Sequence, residues 1–213
     1  MLKTVFSHFS LLGMLLMLIF ISPIIALANP GIQNEKTIQK YMKDLENLSP
    51  DQRDVLYSTW LIGSKENLGY TLATIAWKES NFGKWMLNLS DGKYGSYGIF
   101  HINLEYAIKR NNIKTAWGRD RYADKLLADI EFSSKEALNI LKYWQMIHKK
   151  EMKGKELLKN IFASYNGGFN YKSPQAIAYS KDALLRIIAL QRHFQKYSLE
   201  TKLNAKYEIV ASN

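Results

Sequence analysis

The chain contains no cysteine in 213 residues. That excludes a disulfide framework, a thiol nucleophile, cysteine-ligated zinc and a lipid-bearing cysteine behind an export signal. Histidine is scarce as well. Beyond residue 30 only His101, His148 and His193 occur, and no H-E-x-x-H or other ligand spacing joins them, so metal catalysis is not expected. There is no G-x-S-x-G elbow, no P-loop and no dinucleotide fingerprint, and no cofactor is implied. Internal repeats and low-complexity tracts are missing, and strand patterns are nearly so. Past the N-terminal segment no apolar run is long enough to span a bilayer.

What is present starts with an export pattern. Lys3 supplies a positive start, Leu11 to Ile21 is almost wholly apolar, and Ala26-Leu27-Ala28 is an A-x-A cleavage site. Residues 1–28 are therefore expected to be a signal peptide; the alternative, an uncleaved anchor, is disfavoured by the shortness of the span. The formal charge is +10, and loss of Lys3 leaves +9. A basic exported protein meets cell-wall polymers, lipid headgroups and extracellular nucleic acid. Its Lys and Arg residues are spread along the chain, with short clusters such as His148-Lys149-Lys150. They read as solvated helix faces, so no nucleic-acid partner is expected.

The rest reads as mostly α-helical. Residues 29–48 form an expected leader with one amphipathic helix (Ile38, Tyr41, Met42, Leu45). Ser49-Pro50-Asp51-Gln52 is a capping box that starts a helix carrying Val55, Leu56 and Trp60 inward. Gly63-Ser64 punctuates, and the next helix runs to Glu79. A hairpin is expected between Leu87 and Ile99, turning at Asp91-Gly92. Ser133-Ser134-Lys135-Glu136 offers another capping box, before Ala137, Ile140, Leu141, Trp144 and Ile147. Leu157 to Tyr165 makes an apolar face that stops at Gly167-Gly168, and Ser173-Pro174 opens a long helix. The tail is expected over residues 198–213.

Glu79 is the residue that carries chemistry. It closes the apolar stretch Leu72-Ala73-Thr74-Ile75-Ala76-Trp77-Lys78. A carboxyl placed there meets the negative end of the helix dipole and apolar neighbours. Both influences favour the protonated acid that glycoside cleavage needs. Taken alone, a Glu in a last helical turn is more often a solvated surface residue.

Three blocks set Glu79 in context. They are Glu79-Ser80-Asn81-Phe82-Gly83, then Gly95-Ser96-Tyr97-Gly98-Ile99-Phe100-His101-Ile102-Asn103, then Ala163-Ser164-Tyr165-Asn166-Gly167-Gly168. In order and rough spacing they resemble the lysozyme-like lytic transglycosylases, whose E-S, G-L-M-Q-like and A-Y-N-x-G blocks lie in a helical domain. The likeness covers about residues 50–195, so a lysozyme-like catalytic domain is expected over 49–197. The first two blocks also resemble c-type lysozymes. Those enzymes carry a second catalytic aspartate at the position of Ser96, 17 residues after Glu79.

The resemblance implies the chemistry. A retaining lysozyme uses a second carboxylate to capture or stabilise the oxocarbenium-like centre. A lytic transglycosylase manages with one Glu. It protonates the leaving oxygen, then takes the proton of the C6 hydroxyl of the same N-acetylmuramic acid, closing a 1,6-anhydro ring. By resemblance Glu79 has that task. Tyr165 matches the tyrosine that hydrogen-bonds near the catalytic Glu. Asn166 matches the asparagine that holds the acetamido group or the Glu. Ser80, Ser96, Gly98, Phe100, His101 and Asn103 are the remaining candidates for binding or supporting the site, with Gly98 expected to let backbone approach the sugar. Phe100 reads equally well as a cleft wall and as core. His101 stands where the family has Gln and adds a charge state. Asp91, 12 residues after Glu79, is the alternative second carboxylate for a hydrolase, as in goose-type lysozymes. The expected substrate is the peptidoglycan glycan strand, met in the periplasm or outside the cell with no membrane span after signal cleavage. An envelope-spanning secretion or pilus machine is a further candidate partner. The rival from another class is a non-catalytic wall-binding component of such a machine.

Overall fold

The computed structural model describes residues 31–199, 202 and 203. The expected signal peptide and the last ten residues of the tail lie outside the described residues. The chain is mostly helical, with one small sheet.

Helix α1 (Ile32–Glu46) buries Ile38 and Leu45 and rests Tyr41 and Met42 on the core. It packs along α8 (Pro174–Tyr197) and is tied to it by Arg192–Glu35 at 2.5 Å and Lys196–Glu46 at 2.7 Å. The helix of the expected leader shares the main core. Its heptad-like apolar stripe needs a partner, and α8 supplies it.

Helix α2 (Pro50–Ser64) begins with the capping box read from sequence. The Ser49 hydroxyl accepts from Gln52 N–H, and the Gln52 side chain accepts from Ser49 N–H. Leu56 and Trp60 are buried; Val55 is only partly covered. The chain then turns sharply into α3 (Gly69–Ser80). A side chain on Gly63 would come within 2.9 Å of both Gly69 Cα and the Leu68 carbonyl, so only glycine permits this turn. Helix α3 is apolar on nearly every face, and Leu72, Ala73, Ile75, Ala76 and Trp77 are all buried. A helix covered all round is a central one, and α3 contacts α2, α8 and α6 (Ile130–His148).

A three-stranded antiparallel sheet follows: β1 (Leu87–Asn88), β2 (Ser96–Tyr97) and β3 (Ile102–Asn103). Leu87 pairs with Tyr97, and Ser96 with Asn103. Sequence suggested a single hairpin. The third strand forms because Gly98 and His101 both adopt positive φ, +80° and +44°, and reverse the chain within four residues. Asn103 then caps α4 (Leu104–Arg110) and Thr115 caps α5 (Ala116–Ala128).

Helix α6 starts earlier than expected. Its cap is Asp129, which accepts from Phe132 N–H at 2.9 Å, so Ser133 and Ser134 lie inside the helix. Both hydroxyls are buried with no hydrogen-bond partner among the described residues. Ile147, expected inward, is exposed, and His148 is buried instead. Helix α7 (Gly154–Gly167) ends at the Gly-Gly pair, a single 3₁₀ turn spans Gly168–Asn170, and Ser173 caps α8. No helix among the described residues is long and apolar enough to cross a membrane.

Candidate active site

Glu79 lies in the last turn of α3, and the residues after it build a tight stop. Asn81, Phe82 and Gly83 take φ of +50°, +55° and +84° in succession. Asn81 N–H reaches the Trp77 carbonyl at 2.9 Å and Phe82 N–H the Ala76 carbonyl at 3.1 Å, a Schellman-type closure. Gln52 donates to the Asn81 carbonyl at 2.8 Å, and Phe82 stacks on Trp77. Ser80 is fully buried in this turn. Its hydroxyl donates to the Ala76 carbonyl at 3.1 Å and accepts from Gly83 N–H at 2.8 Å. Ser80 therefore fixes the helix end and does not face the outside. One position earlier, Glu79 points the other way, with its side chain 17% exposed.

Two groups meet the Glu79 carboxyl, one at each oxygen. The hydroxyl of Tyr179, from α8, donates to Oε1. His101 Nδ1 stands 3.5 Å from Oε2. The other ring nitrogen, Nε2, is 2.7 Å from the Trp85 carbonyl. A carbonyl only accepts, so Nε2 carries hydrogen and Nδ1 is the atom left for Glu79. Burial opposes the imidazolium form of His101. The facing Glu79 carboxyl, the hydrogen bond to the Trp85 carbonyl and the charge of Asp91 outweigh burial and raise its pKa. Burial, then the nearby Glu79 charge, holds the Tyr179 and Tyr165 phenols well above the ordinary tyrosine range. Both remain donors at any physiological pH.

Tyr165 does not bond to Glu79. Its hydroxyl donates to the Phe100 carbonyl at 2.9 Å, and so steadies the backbone just before His101. The direct contact expected of Tyr165 is made by Tyr179, which sequence reading missed. Tyr179 lies 100 positions from Glu79, and only the packing of α8 on α3 joins them. Asn166 is exposed on the last turn of α7, and its side chain makes no hydrogen bond among the described residues. It is free to meet a ligand but does not hold Glu79.

Behind Tyr179 lies a charged support. Asp182 accepts from Lys78 at 2.5 Å, from Arg186 at 2.9 Å and from the Tyr41 hydroxyl of α1. Burial alone would raise the Asp182 pKa, but Lys78, Tyr41 and Arg186 bring it down to about 2. The Lys78 ammonium also sits 4.4 Å from the centre of the Tyr179 ring. Lys78 thus links the Tyr179 ring to a charged cluster drawn from α1, α3 and α8.

The sheet supplies the opposite side. Ser96 is fully buried, and its hydroxyl donates to the Asp91 carboxylate. Ser96, where the resemblance to c-type lysozymes would place an aspartate, thus holds a different aspartate, on the exposed β1–β2 loop. Asn103 donates to the Asp91 carbonyl at 3.3 Å and caps α4, a supporting task. Gly98 does not make room for a ligand. A Cβ there would lie 2.3 Å from the Leu126 carbonyl, so its absence lets β2 close on α5. Phe100 is fully buried and belongs to the core, not to a cleft wall. The alternating turn positions 98–101 made inward and outward side chains indistinguishable by sequence.

Among the described residues no group of three or more His, Asp or Glu side chains is placed to hold a metal ion. Comparison with family models, curated proteins and solved structures returned no match for this chain.

Proposed function

We propose that the protein is an exported peptidoglycan lytic transglycosylase with a lysozyme-like domain, in which Glu79 is the single acid and base. One observation carries this reading: a largely buried carboxyl at a helix end, with Tyr179 on one oxygen and His101 facing the other. The three motif blocks support it. The chain cleaved is the glycan strand between N-acetylmuramic acid and N-acetylglucosamine. Glu79 protonates the bridging oxygen, and the carboxylate left behind then takes the proton of the C6 hydroxyl as that oxygen attacks C1. The substrate supplies the nucleophile, so one carboxyl completes the cycle. Tyr179 keeps the carboxyl in one orientation through both transfers.

A second reading has its own observation. Asp91 is held by Ser96, and its charge reaches the same imidazole that faces Glu79. In a hydrolase Asp91 would assist water or stabilise the oxocarbenium-like centre.

Replacing Glu79 tests the assignment. Glu79→Gln keeps the shape but cannot deliver a proton, and acid–base help is worth roughly 10²–10⁴ in rate. Turnover of purified peptidoglycan should fall by at least that factor with the circular dichroism spectrum unchanged. Near wild-type digestion by the variant contradicts the assignment. Equal inactivity of both proteins, with both binding sacculi, favours a wall-binding component.

A further inference from the structure

We propose that His101 and Glu79 form one proton-sharing unit, in which His101 stores the proton that Glu79 delivers and takes it back after ring closure. The inference rests on the transglycosylase reading of Glu79. It makes His101 a positioning residue that acts through the carboxyl and sets the pH range of the site.

The geometry leaves the imidazole one option. Nε2–H is committed to the Trp85 carbonyl at 2.7 Å, so Nδ1 alone can exchange a proton, and it faces Oε2 at 3.5 Å. The backbone that carries the ring is fixed as well. Its backbone sits at φ +44°, and the carbonyl before it is anchored by Tyr165 at 2.9 Å. Closing the gap to hydrogen-bond length takes a shift of about 0.7 Å, and catalytic hydrogen bonds often tighten only with substrate bound. Tyr179 occupies the other oxygen as a donor and does not compete for the proton.

With one proton on the pair, two arrangements differ only in where it sits. In one, a neutral imidazole faces a carboxylic acid. In the other, an imidazolium faces a carboxylate. For bond cleavage the Nδ1–H bond breaks and an Oε2–H bond forms, leaving the imidazole neutral. The carboxyl passes that proton to the glycosidic oxygen and becomes the anion. The C6 hydroxyl then gives its proton to the anion, and from Oε2 it returns to Nδ1. The enzyme ends with the proton count it began with.

The surrounding charges are compatible with this exchange. Asp91, on the β1–β2 loop, favours the imidazolium. Tyr165 from α7 and Tyr179 from α8 stay protonated, Arg110 of α4 acts on Tyr165, and the Lys78–Asp182 pair lies behind Tyr179. A Gln at position 101, as in the family this chain resembles, would hydrogen-bond Glu79 but store no proton. The imidazole extends the one-proton state to higher pH, because the proton belongs to the pair and not to either group alone.

The test follows the imidazole by NMR in isotope-labelled protein, as wild type and as Glu79→Gln, with the His101 signal assigned through His101→Gln. The apparent pKa of His101 should fall by about one unit or more when the carboxylate is removed. The same titration in both proteins overturns the proposal. In parallel, peptidoglycan cleavage is followed against pH. In His101→Gln the alkaline limb should move down by about one unit while the acid limb stays in place. An unmoved alkaline limb overturns the proposal. His101→Asn, suited to the left-handed backbone, is the second variant should the glutamine protein misfold. A coupled titration in a wild type that cleaves no peptidoglycan upholds the shared proton and removes the transglycosylase reading.

Discussion

The Tyr179 hydroxyl donates to Oε1 of Glu79 across the contact between α3 and α8. The residues stand 100 positions apart. The bond makes the orientation of the candidate catalytic carboxyl depend on how α8 seats on α3.

Removing that hydroxyl should therefore cost activity more than stability. A hydrogen bond to a charged group is worth about 1.5–3 kcal/mol. If it operates in the transition state, Tyr179→Phe loses roughly one to two powers of ten in kcat/KM. The ring stays packed, with Lys78 over its face. Steady-state cleavage rates and a thermal melt on the same sample check this. Full activity would show that the phenol only packs.

Tyr165→Phe has a different signature. It frees the Phe100 carbonyl, not the Glu79 carboxyl. A neutral, partly buried hydrogen bond contributes about 1 kcal/mol, so chemical denaturation should show a loss of that order. Activity should fall less than in Tyr179→Phe, because the effect passes through the placement of His101. Kinetics of the two variants side by side check the ranking.

Gly98→Ala tests the packing of the sheet on α5. The added methyl would lie 2.3 Å from the Leu126 carbonyl, at a φ of +80° that alanine rarely adopts. Strain and overlap together should cost more than about 2 kcal/mol. Urea unfolding measures it; a loss below about 0.5 kcal/mol would mean that the sheet relaxes away from α5.

How far sequence alone reached follows from the range of each signal. Local ones read well. The Ser49–Gln52 box, the Ser173-Pro174 start and the Gly167-Gly168 stop all act within a few residues, and the structure has each in place. The start of α6 is ambiguous in sequence because Asp129 and Ser133 both have cap chemistry, and only tertiary packing decides between them. Around Glu79 the motif blocks brought His101 and Tyr165 into one neighbourhood. They did not tell which side chains turn inward. Ser80, Gly98 and Phe100 serve the turn, the α5 contact and the core. Tyr179 had no local signal, since its meaning arises only from contact between distant helices.

The central claim is that Glu79 works without a second carboxylate, and the chemistry of the products tests it most directly. Purified peptidoglycan digested by the protein and analysed by mass spectrometry should yield muropeptides ending in 1,6-anhydro-N-acetylmuramic acid. Their mass is one water lower than that of the hydrolysis products. Anhydro ends in wild type, undiminished in Asp91→Asn, are the predicted result. Mainly reducing ends, lost in Asp91→Asn, would contradict the account and make Asp91 the second catalytic carboxylate of a hydrolase.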